Sequence, residues 1–151
     1  MTDTIKTIRT GIETCIGDNT TFTKLDNKFD LEKNQFNNEV KRYGVVARDG
    51  SPAGQSLLRY VTIDRDFQIT LCNKFISTTN GDDQQEVIGD LLENAMETIT
   101  ERLQSSKAGL PNLVNSINFA NNDVVVYDEI ENLAILRFDV IVQFRKQIIN
   151  C

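Results

Sequence analysis

From Ala134 to Phe144 every second residue is apolar: Ala134, Leu136, Phe138, Val140, Val142 and Phe144 share one side of a period-two pattern. Ile135, Arg137, Asp139, Ile141, Gln143 and Arg145 share the other side, which is mostly polar. This predicts a β-strand with one face in a core and one face turned to water. Ile135 and Ile141 interrupt the wet face, as on a surface that meets a partner. "RYVTIDRDFQITLCNKF" gives a second half-buried strand through Val61, Ile63, Phe67, Ile69 and Leu71, with a break expected near Asp64–Asp66. "LVNSINF" puts Leu113, Asn115, Ile117 and Phe119 on one face; a turn at "ANND" and a short strand at "VVVYD" follow.

Two stretches follow the helical period instead. Ile5, Ile8, Ile12 and Cys15/Ile16 predict an amphipathic helix, with Thr2 or Asp3 as cap, Gly17 as stop and Gly11 as a weak point. Val87, Ile88, Leu91, Leu92, Ala95, Met96, Ile99 and Leu103 form one stripe of a longer helix. Asp82 and Gln85 have the spacing of a capping box before it, and Gly109 and Pro111 end it. Such a helix has roughly 25 residues and spans about 37 Å at 1.5 Å per residue.

Between the first helix and the strand from Tyr60 the pattern is irregular. A short strand is expected near Phe22, then an extended, mostly exposed segment, with residues 30–58 forming a long arm or loop. Gly50, Pro52 and Gly54 give that stretch the composition of a flexible loop. The expected architecture is α+β: a single domain over residues 1–151, with an antiparallel β-sheet packed by one long and one shorter α-helix.

Composition narrows the chemistry. Asp and Glu number 22 against 16 Lys and Arg, a net charge of −6, which argues against broad nucleic-acid binding and suits a surface that must not hold passing DNA. No apolar run reaches the ~18 residues of a membrane span, and the first residues lack the apolar core of a signal peptide, so synthesis and assembly in the cytoplasm, away from membranes, are expected. The chain has no histidine, which removes Ser-His-Asp and Cys-His nucleophile systems and His-ligated metals. Cys15 and Cys72 read as small core residues, and Cys151 as a reactive tail thiol.

Neither "GDDQQEVIGD" nor "DGSPAGQS" fits a phosphate-binding loop. A carboxylate-dependent nuclease would have to draw on Asp64, Asp66 and Asp82 for Mg²⁺. The plainer reading gives no catalytic residue, no metal and no cofactor, with Asp82 and Asp83 as cap and helix-dipole partners. "KRYG", with Lys41, Arg42 and Tyr43, fits a protein interface better than a nucleic-acid one.

The order of "FDLEKN", "NNEVKRYGVVARDGSPAGQSLLRYVTIDRDFQITL", "LQSSKAGLPNLV" and "RFDVIVQFRKQ" resembles the tail terminator, or tail completion, proteins of tailed bacteriophages. The cues are Tyr43-Gly44-Val45, the Thr62/Asp64/Phe67 pattern, Lys107-x-Gly109 and Phe144-Arg145, within roughly residues 25–148. Where related sequences often carry Arg after Tyr-Gly-Val, this chain has Val46, Ala47 and then Arg48. The resemblance implies a virion protein at the tail–neck junction: a homo-oligomeric ring, expected to be a hexamer, on the head-proximal end of the tail tube. Its partners would be the tail-tube protein and a neck or head-completion protein, with DNA only as passing cargo. A tail-tube subunit or a head-completion protein is the nearest alternative. Arg42, Tyr43, Arg48, Asp49 and Arg59 from the arm, with Arg137, Asp139 and Ile141 from the last strand, are the expected interface residues.

Overall fold

In a computed structural model of the chain, the described residues are 4–25, 41–57, 60–74, 81–122, 125–128 and 133–147. Helix α1 spans Thr4–Asn19, followed by strands β1 (Thr23–Lys24), β2 (Lys41–Leu57) and β3 (Tyr60–Lys74). Helix α2 spans Gly81–Ser106 and runs into a 3-10 turn at Lys107–Gly109. Strands β4 (Val114–Asn122), β5 (Val126–Asp128) and β6 (Leu133–Gln147) complete the described elements. The sheet order is β1-β2-β3-β6-β4, with β5 also on β6. Every pairing is antiparallel except β1 with β2, so the α+β architecture holds with a mixed sheet.

The period-two pattern of β6 sorts as expected. Leu136, Phe138, Val140, Val142 and Phe144 are buried with Phe67, Ile69 and Leu71 of β3, and Val45 of β2 joins them. Ile8, Ile12 and Ile16 of α1 and Leu92, Ile99 and Leu103 of α2 close the same core from the other side. Burying each such side chain contributes about 1.5–3 kcal/mol relative to exposure, so the two helices and one face of the sheet are held as a single unit.

The helix ends differ from expectation for local reasons. Gly17 lies inside α1, which continues to Asn19; the Asn19 side chain then donates to the Cys15 carbonyl at 2.8 Å and the Thr20 hydroxyl to that of Ile16 at 2.7 Å. Gly11, the expected weak point, has a packing reason: a Cβ there would lie 2.5 Å from the Ala108 carbonyl oxygen. The expected capping pair does not flank the helix: α2 begins at Gly81, so Asp82 and Gln85 are its second and fifth residues. α2 ends at Ser106, before Gly109, because Lys107, Ala108 and Gly109 all take positive φ, at 51°, 56° and 72°. The chain is thereby turned toward α1 and on into β4.

Three strand expectations are corrected. No break occurs in β3, which pairs with β6 without interruption from Tyr60↔Gln147 to Lys74↔Leu133. The irregularity lies across the ladder, where Arg48 and Asp49 of β2 face Asp66 alone, a β-bulge. In β4 a bulge at Asn115 shifts the phase, so Val114 and Ile117 are buried while Asn115 is exposed. The turn expected at "ANND" begins no earlier than Asn122, where β4 ends.

The expected arm is corrected over residues 41–57. This stretch is strand β2, paired with β3 from Lys41↔Asn73 to Leu57↔Tyr60. Its Gly/Ser/Pro composition is absorbed by three register shifts, at each of which β2 carries one residue more than β3. Pro52 is tolerated because past Tyr43 β2 is an edge strand among the described residues. At Gly50 a Cβ would meet the Arg65 side chain at 2.8 Å, so a larger residue there would require that arginine to shift. Residues 30–40 and 58, the rest of the expected arm, lie outside the described residues.

Candidate functional site

The sheet has a second face, turned away from the helices. Strand parity puts Arg42, Gly44 and Val46 of β2 there, with Thr62, Asp64, Asp66, Gln68, Thr70, Cys72 and Lys74 of β3. Beside them stand Ile135, Arg137, Asp139, Ile141, Gln143 and Arg145 of β6, each opposite a β3 residue. The bulge at Arg48 and Asp49 aims the Arg48 guanidinium over β3 to the Asp139 carboxylate, 3.7 Å away. Further along, Gln143 donates to Asp64 at 3.2 Å. At one end Arg42 donates to the Thr23 hydroxyl at 2.7 Å, and at the other Arg145 donates to the Asn112 carbonyl at 3.1 Å.

This face is less wet than its sequence predicts. Thr62, Thr70, Ile135 and Asp139 are buried, and Cys72 is fully so. Leu25, Cys72, Leu133 and Ile135 form a second small apolar cluster there, separate from the main core. Leu25 is held at that end by its N–H, which donates to the Tyr43 carbonyl at 2.7 Å. Burial pushes the Cys72 thiol up to about 12; the nearby Arg137 and Arg42 cations and a hydrogen bond with the Arg42 backbone oppose that shift without reversing it. Arg137, Ile141, Gln143 and Arg145 are half-buried, and Arg48 is exposed.

The expected interface residues therefore divide. Arg42, Arg48, Arg137, Asp139 and Ile141 meet on one face, although Asp139 is buried beneath Arg48 rather than presented. Tyr43 is corrected: it points the opposite way, into the core, and its hydroxyl donates to the Glu13 carbonyl at 3.0 Å. The Asp49 side chain and all of Arg59 lie outside what the structure describes. Of the carboxylates weighed for metal chemistry, Asp64 and Asp66 are on the outward face and Asp82 is in the first turn of the helix packed against the other face. Among the described residues no three His, Cys, Asp or Glu side chains converge as metal ligands.

Cys15 and Cys72 are both buried, as expected of small core residues, and Cys151 lies outside the described residues. Cys15 is among the residues lining an open groove of about 890 Å³ between α1 and the Lys107–Gly109 turn. Burial pushes its thiol up, and hydrogen bonds with Ser106 and Asn19 oppose that in part. Among the described residues no helix is long and apolar enough to cross a membrane.

The sequence reading passed over α2's solvent side. Glu86, Asp90, Glu93, Glu97 and Glu101 are all exposed, and their spacing of four, three, four and four residues was visible in the sequence as a second helical stripe. It was overlooked because the apolar stripe already accounted for the helix.

In comparison with known proteins, the chain matches no family model and no curated protein sequence.

Proposed function

We propose that this chain is a structural assembly protein: a terminator subunit that forms a ring, a hexamer by its resemblance, on the head-proximal end of a phage tail tube. The ring stops tube growth, docks the neck of the filled head and works without catalysis or a cofactor. One observation carries this reading. Arg42 and Arg48 of β2 share a single sheet face with Arg137 and Arg145 of β6, and the half-buried Ile141 stands midway between the last two. Arginine around an apolar centre is the composition of a protein-binding surface.

The sequence cues of the resemblance also have structural roles that a rigid subunit needs. Tyr43 ties β2 to α1, and Lys107-x-Gly109 is the left-handed turn that ends α2. Phe144 is in the core, while Arg145 anchors the end of β6 to Asn112. The residues beside Tyr43-Gly44-Val45 reach the outward face through Val46 and Arg48.

Antibody labelling of intact virions, viewed by electron microscopy, tests the reading. A single band of label at the tail–neck junction is expected. Label along the whole tail would make the chain a tube subunit instead, and virions without label would overturn a role in the particle.

A further inference from the structure

Helix α2 carries its charge along one line. At 3.6 residues per turn, the five carboxylates from Glu86 to Glu101 stay within about 80° of arc and span about 22 Å of helix. Each is three or four residues from the next, the spacing at which like charges repel. The line also runs toward the negative end of the helix dipole, where α2 has no basic residue in its last turn and Lys107 follows only in the 3-10 turn. Among the described residues no cation is paired with it. The line costs the isolated helix stability, and such costs persist where a surface is used.

The outward sheet face has the opposite balance. Its described side chains include five cations, Arg42, Arg48, Lys74, Arg137 and Arg145, against three carboxylates, Asp64, Asp66 and Asp139. One of the three, Asp139, is buried under Arg48. From Arg137 to Arg145 β6 runs about 26 Å at 3.3 Å per residue, close to the length of the acidic line. Each surface also offers an apolar contact. Val87 is 66% exposed beside the acidic line, and Ile141 stands midway between Arg137 and Arg145.

We infer that the acidic line of α2 docks on the outward face of β3 and β6 of a second copy of this chain. The two surfaces lie on opposite layers of one subunit and match in charge and length. Joined head to tail, two different surfaces generate a ring when the rotation closes. The inference deepens the ring reading above and rests on it for closure. It assigns the helix of one subunit and the sheet of its neighbour as the two sides of the contact.

The test reverses each side separately, using the full chain, a Glu93→Lys/Glu97→Lys variant and an Arg137→Glu/Arg145→Glu variant. Sedimentation velocity is run at about 50 mM and about 500 mM salt, where screening differs several-fold. The wild-type chain is expected to assemble at low salt and to weaken at least about tenfold at high salt, as charge-led contacts do. Each variant is expected to sediment as a monomer, with circular dichroism confirming its fold; the helix variant changes only exposed positions. An equimolar mixture should assemble again, because across the two variants the reversed helix meets the reversed sheet face and the unreversed helix meets the unreversed sheet face, each pair opposite in sign. A wild-type monomer at both salts, assembly that survives both reversals, or a mixture that stays monomeric would overturn the inference. Assembly surviving both reversals would leave the ring reading standing and move its contact elsewhere, and virion labelling tests that reading independently.

Discussion

The Tyr43 hydroxyl donates to the backbone carbonyl of Glu13 at 3.0 Å, inside the protein and across thirty positions of chain. On the same helix the Glu13 carboxylate, itself buried, takes an ion pair from Lys24 of β1 at 2.6 Å and a longer one from Arg9 at 3.5 Å. One residue of α1 thus holds both β1 and β2. Tyr43 serves as an anchor, and any contact near it must be made by its neighbours on the other face.

Tyr43→Phe removes the donor and keeps the ring. The expected loss is about 1 kcal/mol, the net value of one such hydrogen bond, read as a lower urea midpoint at unchanged slope. Self-association per folded molecule should be unchanged, because the hydroxyl points away from the outward sheet face. A variant of normal stability that failed to assemble would return Tyr43 to the interface.

Gly11→Ala tests the close approach of α1 to the turn after α2. In an open helix this change gains up to about 1 kcal/mol of helix propensity. Here the new methyl would meet the Ala108 carbonyl oxygen at 2.5 Å, backbone against side chain. Overpacking of that kind costs about 1–3 kcal/mol, so the melting temperature should fall. A rise would mean that the turn yields freely.

Cys72 sets an alkaline limit. Its thiol is pushed up to about 12 from an ordinary 9.0, chiefly by burial, so the folded state keeps a proton that the unfolded state gives up. That contribution is intact below the unfolded value and is lost as pH rises from about 9 toward about 12. Urea unfolding at a series of pH values should show wild-type stability declining over this window and Cys72→Ala declining less. Parallel curves would show that other groups set the limit.

Glu97→Lys should separate stability from assembly. It replaces two like-charge neighbours, Glu93 and Glu101, with opposite-charge spacings in a helix whose far end favours a cation. Thermal unfolding is expected to show a gain of up to about 1 kcal/mol, while sedimentation shows weaker self-association. A stabilised variant that assembles as well as the wild type would make the acidic line a solvated face and no more.

What the sequence revealed follows from where the physics is local. Ile8, Ile12 and Ile16, and the alternation from Ala134 to Phe144, each declare a period within one element, and the fold uses both as read. Gly50, Pro52 and Gly54 misled, because a loop-like composition becomes a strand when a long partner such as β3 supplies the ladder and bulges absorb the extra residues. The bulge at Asn115 could not be seen for the same reason, since register belongs to the pair. Of the interface set, the β6 residues were legible because alternation separates two faces. The inward turn of Tyr43 was not, because it depends on the register between β2 and β3 and on where α1 lies above them.

The decisive measurement is the length of tail tubes grown from purified tube protein with increasing amounts of this chain, read by electron microscopy. A terminator ring predicts that tubes elongate without limit in its absence. With the chain added they should stop growing and carry a cap at one end only. Tubes whose length distribution is unchanged at saturating amounts of the chain would contradict its role in ending tail growth.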